Sequence, residues 1–296
     1  KRDTQTNDIN INLNSADKGD NISYKISADI PSKIDKLNVY KITDEINSNL
    51  LINDDSFKVY GVNKKTSEKS EIAKYTLNKT DNGFELTFSN SNLTEYNKIE
   101  IMYDAKLSEN ATVLQNGYSN NVKLCYSSIV KNAYDGSDNT DHISEVVNSS
   151  VVYTGGFKIV KRANKNNGKL LSGAEFKLAT SLSNAQKGEF IKDCNGNEIV
   201  LTTDSNGNAS YYGLAFGEYQ LVETKAPVDE DGKTYNLLEK PQTITIDEKT
   251  YDSDITVINK NGAVLPFTGS ASAGIFIVVG VSAFGLLIFS RKKMSK

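Results

Sequence analysis

Three polar residues fall where strand alternation would put apolar ones. Lys161 shares a face with Phe157 and Ile159, Glu223 with Tyr219 and Leu221, and Asn259 with Ile255 and Val257, because alternate residues of a strand point the same way. Lys158 takes the opposite face. An amine, a carboxyl group and a carboxamide on interior faces have two chemical outcomes. One is a buried ion pair hydrogen-bonded to the amide, tolerable when each charge is satisfied. The other is attack of the amine on the carboxamide carbon, because burial disfavours both charged forms and leaves a neutral amine beside a neutral acid. Spacing alone does not choose between them.

The elements that must position these groups read as strands. Ile22, Tyr24, Ile26, Ala28 and Ile30 alternate with Ser23, Lys25, Ser27 and Asp29, the period of a half-buried strand. Ile99, Ile101, Tyr103, Ala105 and Leu107 repeat the pattern, as do Phe84, Leu86 and Phe88. Val122, Leu124 and Tyr126 continue it against Lys123, Cys125 and Ser127, which are expected on the polar face. Polar clusters at Asn53-Asp54-Asp55-Ser56 and Asp135-Gly136-Ser137-Asp138-Asn139 are read as turns between strands. Asp204-Ser205-Asn206-Gly207-Asn208 reads as a hairpin turn. No long stretch has a helical period. The fold class is therefore all-β, as tandem Ig-like β-sandwich domains. The first is expected over 1–153 and the second over 154–260, with Thr154-Gly155-Gly156 at the boundary.

Composition removes several function classes. The 296 residues hold 34 Lys plus Arg against 37 Asp plus Glu, so no basic bias points to nucleic acid. His142 is the only histidine, which excludes a His-based triad and a multi-histidine metal site. Asp135, Asp138 and Asp141 lack the Gly and terminal Glu of an EF-hand and read as a solvated turn. Cys125 and Cys194 form no disulfide framework, and no catalytic partner accompanies Cys125. No metal, cofactor or turnover enzyme is expected.

The tail, 261–296, has three parts in order. Leu265-Pro266-Phe267-Thr268-Gly269 comes first, then an uncharged apolar run from Ala273 to Phe289, then Arg291-Lys292-Lys293. The run is about the shortest that crosses a bilayer core, and the basic cluster would stay cytoplasmic. This arrangement resembles the LPxTG sorting signal of Gram-positive surface proteins. The resemblance implies a transmembrane segment that holds the precursor transiently while sortase cuts between Thr268 and Gly269. It also implies covalent transfer of Thr268 to cell-wall peptidoglycan or to another subunit, and hence a cell-surface location. Lys1 is not an initiator Met and no apolar signal segment follows it, so the chain is expected to begin partway through a longer precursor.

The second domain is similar to a collagen-adhesin B-type domain. Gly155-Gly156-Phe157-Lys158-Ile159-Val160-Lys161 and Leu171-Ser172-Gly173-Ala174-Glu175-Phe176 look like its opening. Tyr219-Gln220-Leu221-Val222-Glu223-Thr224-Lys225-Ala226-Pro227 matches its E-box, YxLxETxAP. Val228 to Thr234 intervene before Tyr235, so the loop after the E-box is longer than usual. In that family a Lys on the first strand and an Asn on the last form a spontaneous isopeptide bond assisted by the E-box Glu. The resemblance assigns these roles to Lys161, Asn259 and Glu223.

Gly19-Asp20-Asn21-Ile22-Ser23-Tyr24, Tyr40-Lys41-Ile42-Thr43-Asp44 and Asn120-Asn121-Val122-Lys123-Leu124 are similar to the middle, A-type-like domain of fimbrial shaft proteins. That resemblance implies a second bond with Asp44 as the assisting acid. Parity selects Asn120, which sides with Val122 and Leu124, over Asn121. Family position favours Lys1 as the amine, while Lys25 lies on the polar face and is expected to be solvated.

Together these resemblances imply a structural subunit, most simply the shaft, of a sortase-assembled pilus. Its partners would be sortase and neighbouring pilin subunits or peptidoglycan. No YPKN-type pilin motif occurs, which fits an acceptor Lys upstream of Lys1. A wall-anchored adhesin contacting host surface ligands, a minor or basal pilin, and the stalk of a surface enzyme are the alternatives.

Overall fold

A computed structural model describes residues 15–131, 138–229 and 232–261. Lys1, the sorting pentapeptide Leu265 to Gly269, the apolar run and the basic tail lie outside the described residues. The chain divides into two compact units between Thr154 and Gly155.

The first unit contains β1 (Asn21–Asp29), β2 (Tyr40–Ile46), β3 (Leu50–Asn63), β4 (Lys69–Glu71) and β5 (Tyr75–Thr80). It continues with β6 (Gly83–Phe88), β7 (Tyr96–Leu107), β8 (Tyr118–Lys131) and β9 (Asp138–Val152). Among the described residues these form two antiparallel sheets, in the orders β1-β7-β3-β4 and β5-β6-β2-β8-β9. The alternation predicted for β1 and β7 is met: Ile22, Tyr24, Ile26 and Ala28 are buried, as are Ile99, Ile101, Tyr103, Ala105 and Leu107. They pack with Tyr40, Ile42, Phe84, Leu86 and Val122 of the other sheet into one core, the arrangement of a sandwich whose inner faces interdigitate.

Three local expectations are corrected. Asn53 to Ser56 do not end a strand but form an irregularity inside β3, where the register to β7 shifts between Asn53 and Lys58. Ser56 Oγ accepts from the Asp104 N–H at 2.8 Å, so the polar cluster stitches a bulge to its neighbour. Cys125 and Ser127 are buried rather than on a polar face. Ser127 Oγ accepts from the Asn38 and Val39 N–H groups at 2.9 and 3.1 Å, while Lys41, Lys123 and Glu145 surround Cys125, whose thiol burial pushes up. Lys25 is not free in solvent. Its ammonium pairs at 2.8 Å with Glu100, which Lys69 also contacts and which is itself buried.

The second unit contains β10 (Gly155–Ala163), β11 (Glu175–Ala179), β12 (Leu201–Thr202), β13 (Asn208–Leu214), β14 (Gly217–Lys225), β15 (Gln242–Ile246) and β16 (Asp254–Asn259). A six-residue helix, α1 (Leu182–Lys187), follows β11. Among the described residues the sheets are ordered β13-β10-β16 and β12-β11-β14-β15. The pairing of β10 with β16 is parallel and sets Lys161 beside Val257 and Ala163 beside Asn259. The first and last strands of the unit are thus direct neighbours. Phe157, Ile159, Phe176, Leu178, Leu221, Ile246 and Val257 fill the space between the sheets.

Gly83, the first residue of β6, has φ +141°, and a Cβ there would stand 1.9 Å from the Asp44 carbonyl oxygen. Gly83→Ala is therefore expected to lower stability by about 2 kcal/mol or more, because β2 must move away at Asp44. Urea unfolding followed by circular dichroism measures this loss.

Candidate functional site

Each unit buries an acid and an asparagine together in its core. In the second, Lys161 comes from β10, Glu223 from β14 and Asn259 from β16, and all three are buried: 0, 4 and 1% exposed. Lys161 Nζ lies 3.0 Å from Glu223 Oε1 and donates to Asn259 Oδ1. Asn259 Nδ2 donates to both carboxylate oxygens of Glu223, at 2.8 and 3.0 Å. The Leu238 N–H donates to Glu223 Oε2 at 2.9 Å, which ties the segment after the E-box to the acid. Phe176 closes the site, its ring centroid 5.2 Å from Nζ.

Backbone contacts hold the lysine in register. The Lys161 N–H donates to the Gly207 carbonyl at 2.7 Å, and its own carbonyl accepts from the Leu171 N–H at 3.0 Å. Gly207 sits in the predicted Asp204–Asn208 turn, where Asp204 Oδ1 accepts from the Asn206 and Asn208 N–H groups. At φ +70°, with a would-be Cβ 2.7 Å from the Lys161 carbonyl oxygen, that position requires glycine. Lys158 points away and pairs with Asp254 at 3.0 Å.

Burial lowers the Lys161 pKa, and the neighbouring Glu223 opposes part of that effect. The carboxylate faces the two nitrogens of the cluster, Nζ and Nδ2, while Asn259 Oδ1 is held by the amine. Glu223 is therefore placed to carry protons between nitrogens rather than to polarise the carboxamide oxygen. The post-E-box loop is not an open excursion. Val228 bridges Thr234, the Asp229 N–H donates to the Lys233 carbonyl, and Tyr235 returns to the interior.

In the first unit Asp44 (β2), Tyr103 (β7) and Asn120 (β8) meet in the core. Asn120 is wholly buried whereas Asn121 is exposed. The Tyr103 hydroxyl donates to Asp44 Oδ2 at 2.8 Å and accepts from Asn120 Nδ2. Burial pushes the Asp44 carboxyl up to about 7, against a smaller lowering by Tyr103 and Asn120. Asp44 Oδ1, Asn120 Oδ1 and the Tyr24 hydroxyl have no hydrogen-bond partner among the described residues. Buried polar atoms are normally satisfied, so two acceptor oxygens and one hydroxyl of this cluster are open to a further partner. Sequence reading placed Asp44 and Asn120 here but took Tyr24 and Tyr103 for plain core residues; a hydroxyl on an inward strand position was the available signal.

Cys125 and Cys194 are both free. Among the described residues no cluster of His, Cys, Asp or Glu could hold a metal ion, and no helix is long and apolar enough to cross a membrane.

Residues 155–261 match the family profile described as the SpaA prealbumin-like fold domain. No curated protein matches the chain in sequence. Among solved structures, the chain is similar to BcpA, the major pilin subunit of Bacillus cereus, at 21% identity and TM-score 0.58, over 84% of this chain and 67% of that one. It is similar to a 35 kDa C-terminal fragment of the major pilin GBS80 of Streptococcus agalactiae, at 21% identity and TM-score 0.61, over 83% and 95%. The pilus backbone RrgB of Streptococcus pneumoniae aligns at 16% identity and TM-score 0.60, over 84% and 94%. Residues 155–261 thus form a SpaA prealbumin-like domain, and the tandem β-sandwiches of the chain have the fold of Gram-positive major pilins.

Proposed function

We propose that the chain is a structural shaft subunit of a sortase-assembled pilus on a Gram-positive cell surface, not an enzyme, and that each unit is locked by a self-formed Lys–Asn bond. The observation that carries this reading is the buried cluster of Lys161, Glu223 and Asn259 spanning the first and last strands of the second unit. Likeness of fold to pilus backbone subunits supports the shaft role.

In the second unit the amine first passes a proton to Glu223. Neutral Nζ then attacks Asn259 Cγ, and the carbon–nitrogen bond to Nδ2 breaks. Glu223 returns a proton to the departing nitrogen and takes one from Nζ, so the products are a secondary amide, ammonia and a protonated carboxyl group. Held reactants convert a bimolecular step into a unimolecular one, and the fold runs it once. In the first unit Asp44 takes the acid role and Asn120 the electrophile, with Lys1 as the attacking amine. Sortase would join Thr268 of the Leu265-Pro266-Phe267-Thr268-Gly269 signal to a neighbouring subunit, or to peptidoglycan at the base.

Three outcomes are expected. The intact mass of the folded chain lacks one ammonia for each bond, and Glu223→Ala restores the one from the second unit; an unmodified wild-type mass refutes the covalent reading. Glu223→Ala also lowers the stability of the second unit by at least about 3 kcal/mol in urea unfolding, because it strands a buried amine. Wall extracts boiled in denaturant give a high-mass ladder that disappears with Thr268→Ala, whereas a single band near precursor size indicates an individually anchored protein.

A further inference from the structure

Asp44 and Glu223 hold their asparagines differently. Glu223 receives Asn259 Nδ2 directly on both oxygens. In the first unit the Asn120 Nδ2 hydrogen bond ends on the Tyr103 hydroxyl, and that hydroxyl in turn donates to Asp44 Oδ2. An aspartate is one methylene shorter than a glutamate, and the phenol occupies the difference.

We infer that Tyr103 is a catalytic proton relay of the first unit, carrying a proton from the Asp44 carboxyl to the nitrogen that leaves Asn120. The inference rests on the proposed first-unit bond and adds the residue that completes it. Once a lysine amine has added to Asn120 Cγ, the nitrogen Nδ2 becomes tetrahedral and gains a lone pair. The Tyr103 hydroxyl, which donates to Asp44 Oδ2 in the resting cluster, turns its hydrogen to that lone pair and delivers the proton while taking one from the protonated Asp44 carboxyl. The carbon–nitrogen bond breaks and ammonia departs. Asp44, now a carboxylate, takes the surplus proton from the attacking nitrogen, so acid and phenol both end as they began.

Two further observations fit a relay that passes protons without ionising. Burial and the adjacent Asp44 raise the Tyr103 pKa far above its usual value, so phenolate does not accumulate. Asp44 retains its proton to about pH 7 and is a supply of acid under neutral conditions. The ring is also fixed, stacked between Tyr24 and Phe57 with centroids 5.2 Å away on each side and edge-on to Phe84. Phenylalanine keeps those contacts and removes only the hydroxyl.

The test uses the full chain, recovered denatured in urea and unbridged, then released by dilution at a series of pH values. Peptide mass mapping follows ammonia loss at Asn120 and, separately, at Asn259. Wild type should bridge at Asn120 with a rate that falls as pH rises through about 7, where Asp44 gives up its proton. Tyr103→Phe should slow that step by at least about a hundredfold, the usual contribution of a general acid, abolish the descending limb, and leave bridging at Asn259 unchanged. Wild-type peptides that retain the Asn120 ammonia overturn the first-unit bond and the relay with it. A Tyr103→Phe rate and pH limb equal to wild type overturn the relay alone. Should Tyr103→Phe fail to fold, a trifluorotyrosine at position 103 replaces it; its more acidic phenol must shift the rate profile, and an unshifted profile overturns the relay.

Discussion

The desolvation of one amine governs the second unit. Lys161 is 0% exposed, and an isolated ammonium there would cost several kcal/mol after relaxation. The fold answers with a carboxylate, a carboxamide oxygen and an aromatic face, each from a different strand. Those strands can converge only if β10 and β16 lie side by side and β14 faces them across the core. The turn glycine at 207, the β10–β16 register and the Leu238 hydrogen bond all serve that convergence. Satisfying a buried charge and assembling the proposed reactants are the same geometric task, because the apolar environment that threatens stability also favours the neutral amine.

The first unit solves a related problem with other parts. Its acid is an aspartate on β2, and its carboxamide sits on β8, the next strand in the same sheet. The phenol that joins them comes from β7 in the opposite sheet. Asp44 Oδ1, Asn120 Oδ1 and the Tyr24 hydroxyl remain unsatisfied among the described residues, while the second unit's trio is complete. Two β-sandwiches of different topology thus place an acid and an asparagine in an apolar core, one by direct contact and one through a tyrosine.

Strand parity made much of this legible. It put Lys161, Glu223, Asn259 and Asn120 on inner faces and Lys158 and Asn121 on outer ones, because side-chain direction follows from local chain geometry alone. What escaped depends on which strands become neighbours. Glu100 sits on an outward position, yet Lys25 on β1 and Lys69 on β4 cover it from across strands that are far apart in the chain. Ser127 and Cys125 are buried by partners that alternation does not reveal. The Asn53–Ser56 cluster has turn chemistry, but its hydroxyl finds Asp104 on β7, and the strand continues through a bulge. Tyr103 passed as an ordinary core aromatic since its ring pattern is apolar and its hydroxyl partners are purely tertiary.

The parallel pairing of β10 with β16 also imposes an order in time. Lys161 and Asn259 stand 98 residues apart in the chain, and Asn259 belongs to the last strand of its unit. The amine cannot meet its carboxamide until every intervening strand has been made and the final one has docked. The proposed bond at this site would therefore be a checkpoint on completed folding. Under that proposal a chain truncated, stalled or misregistered before β16 would keep a free lysine, and only finished units would become permanent.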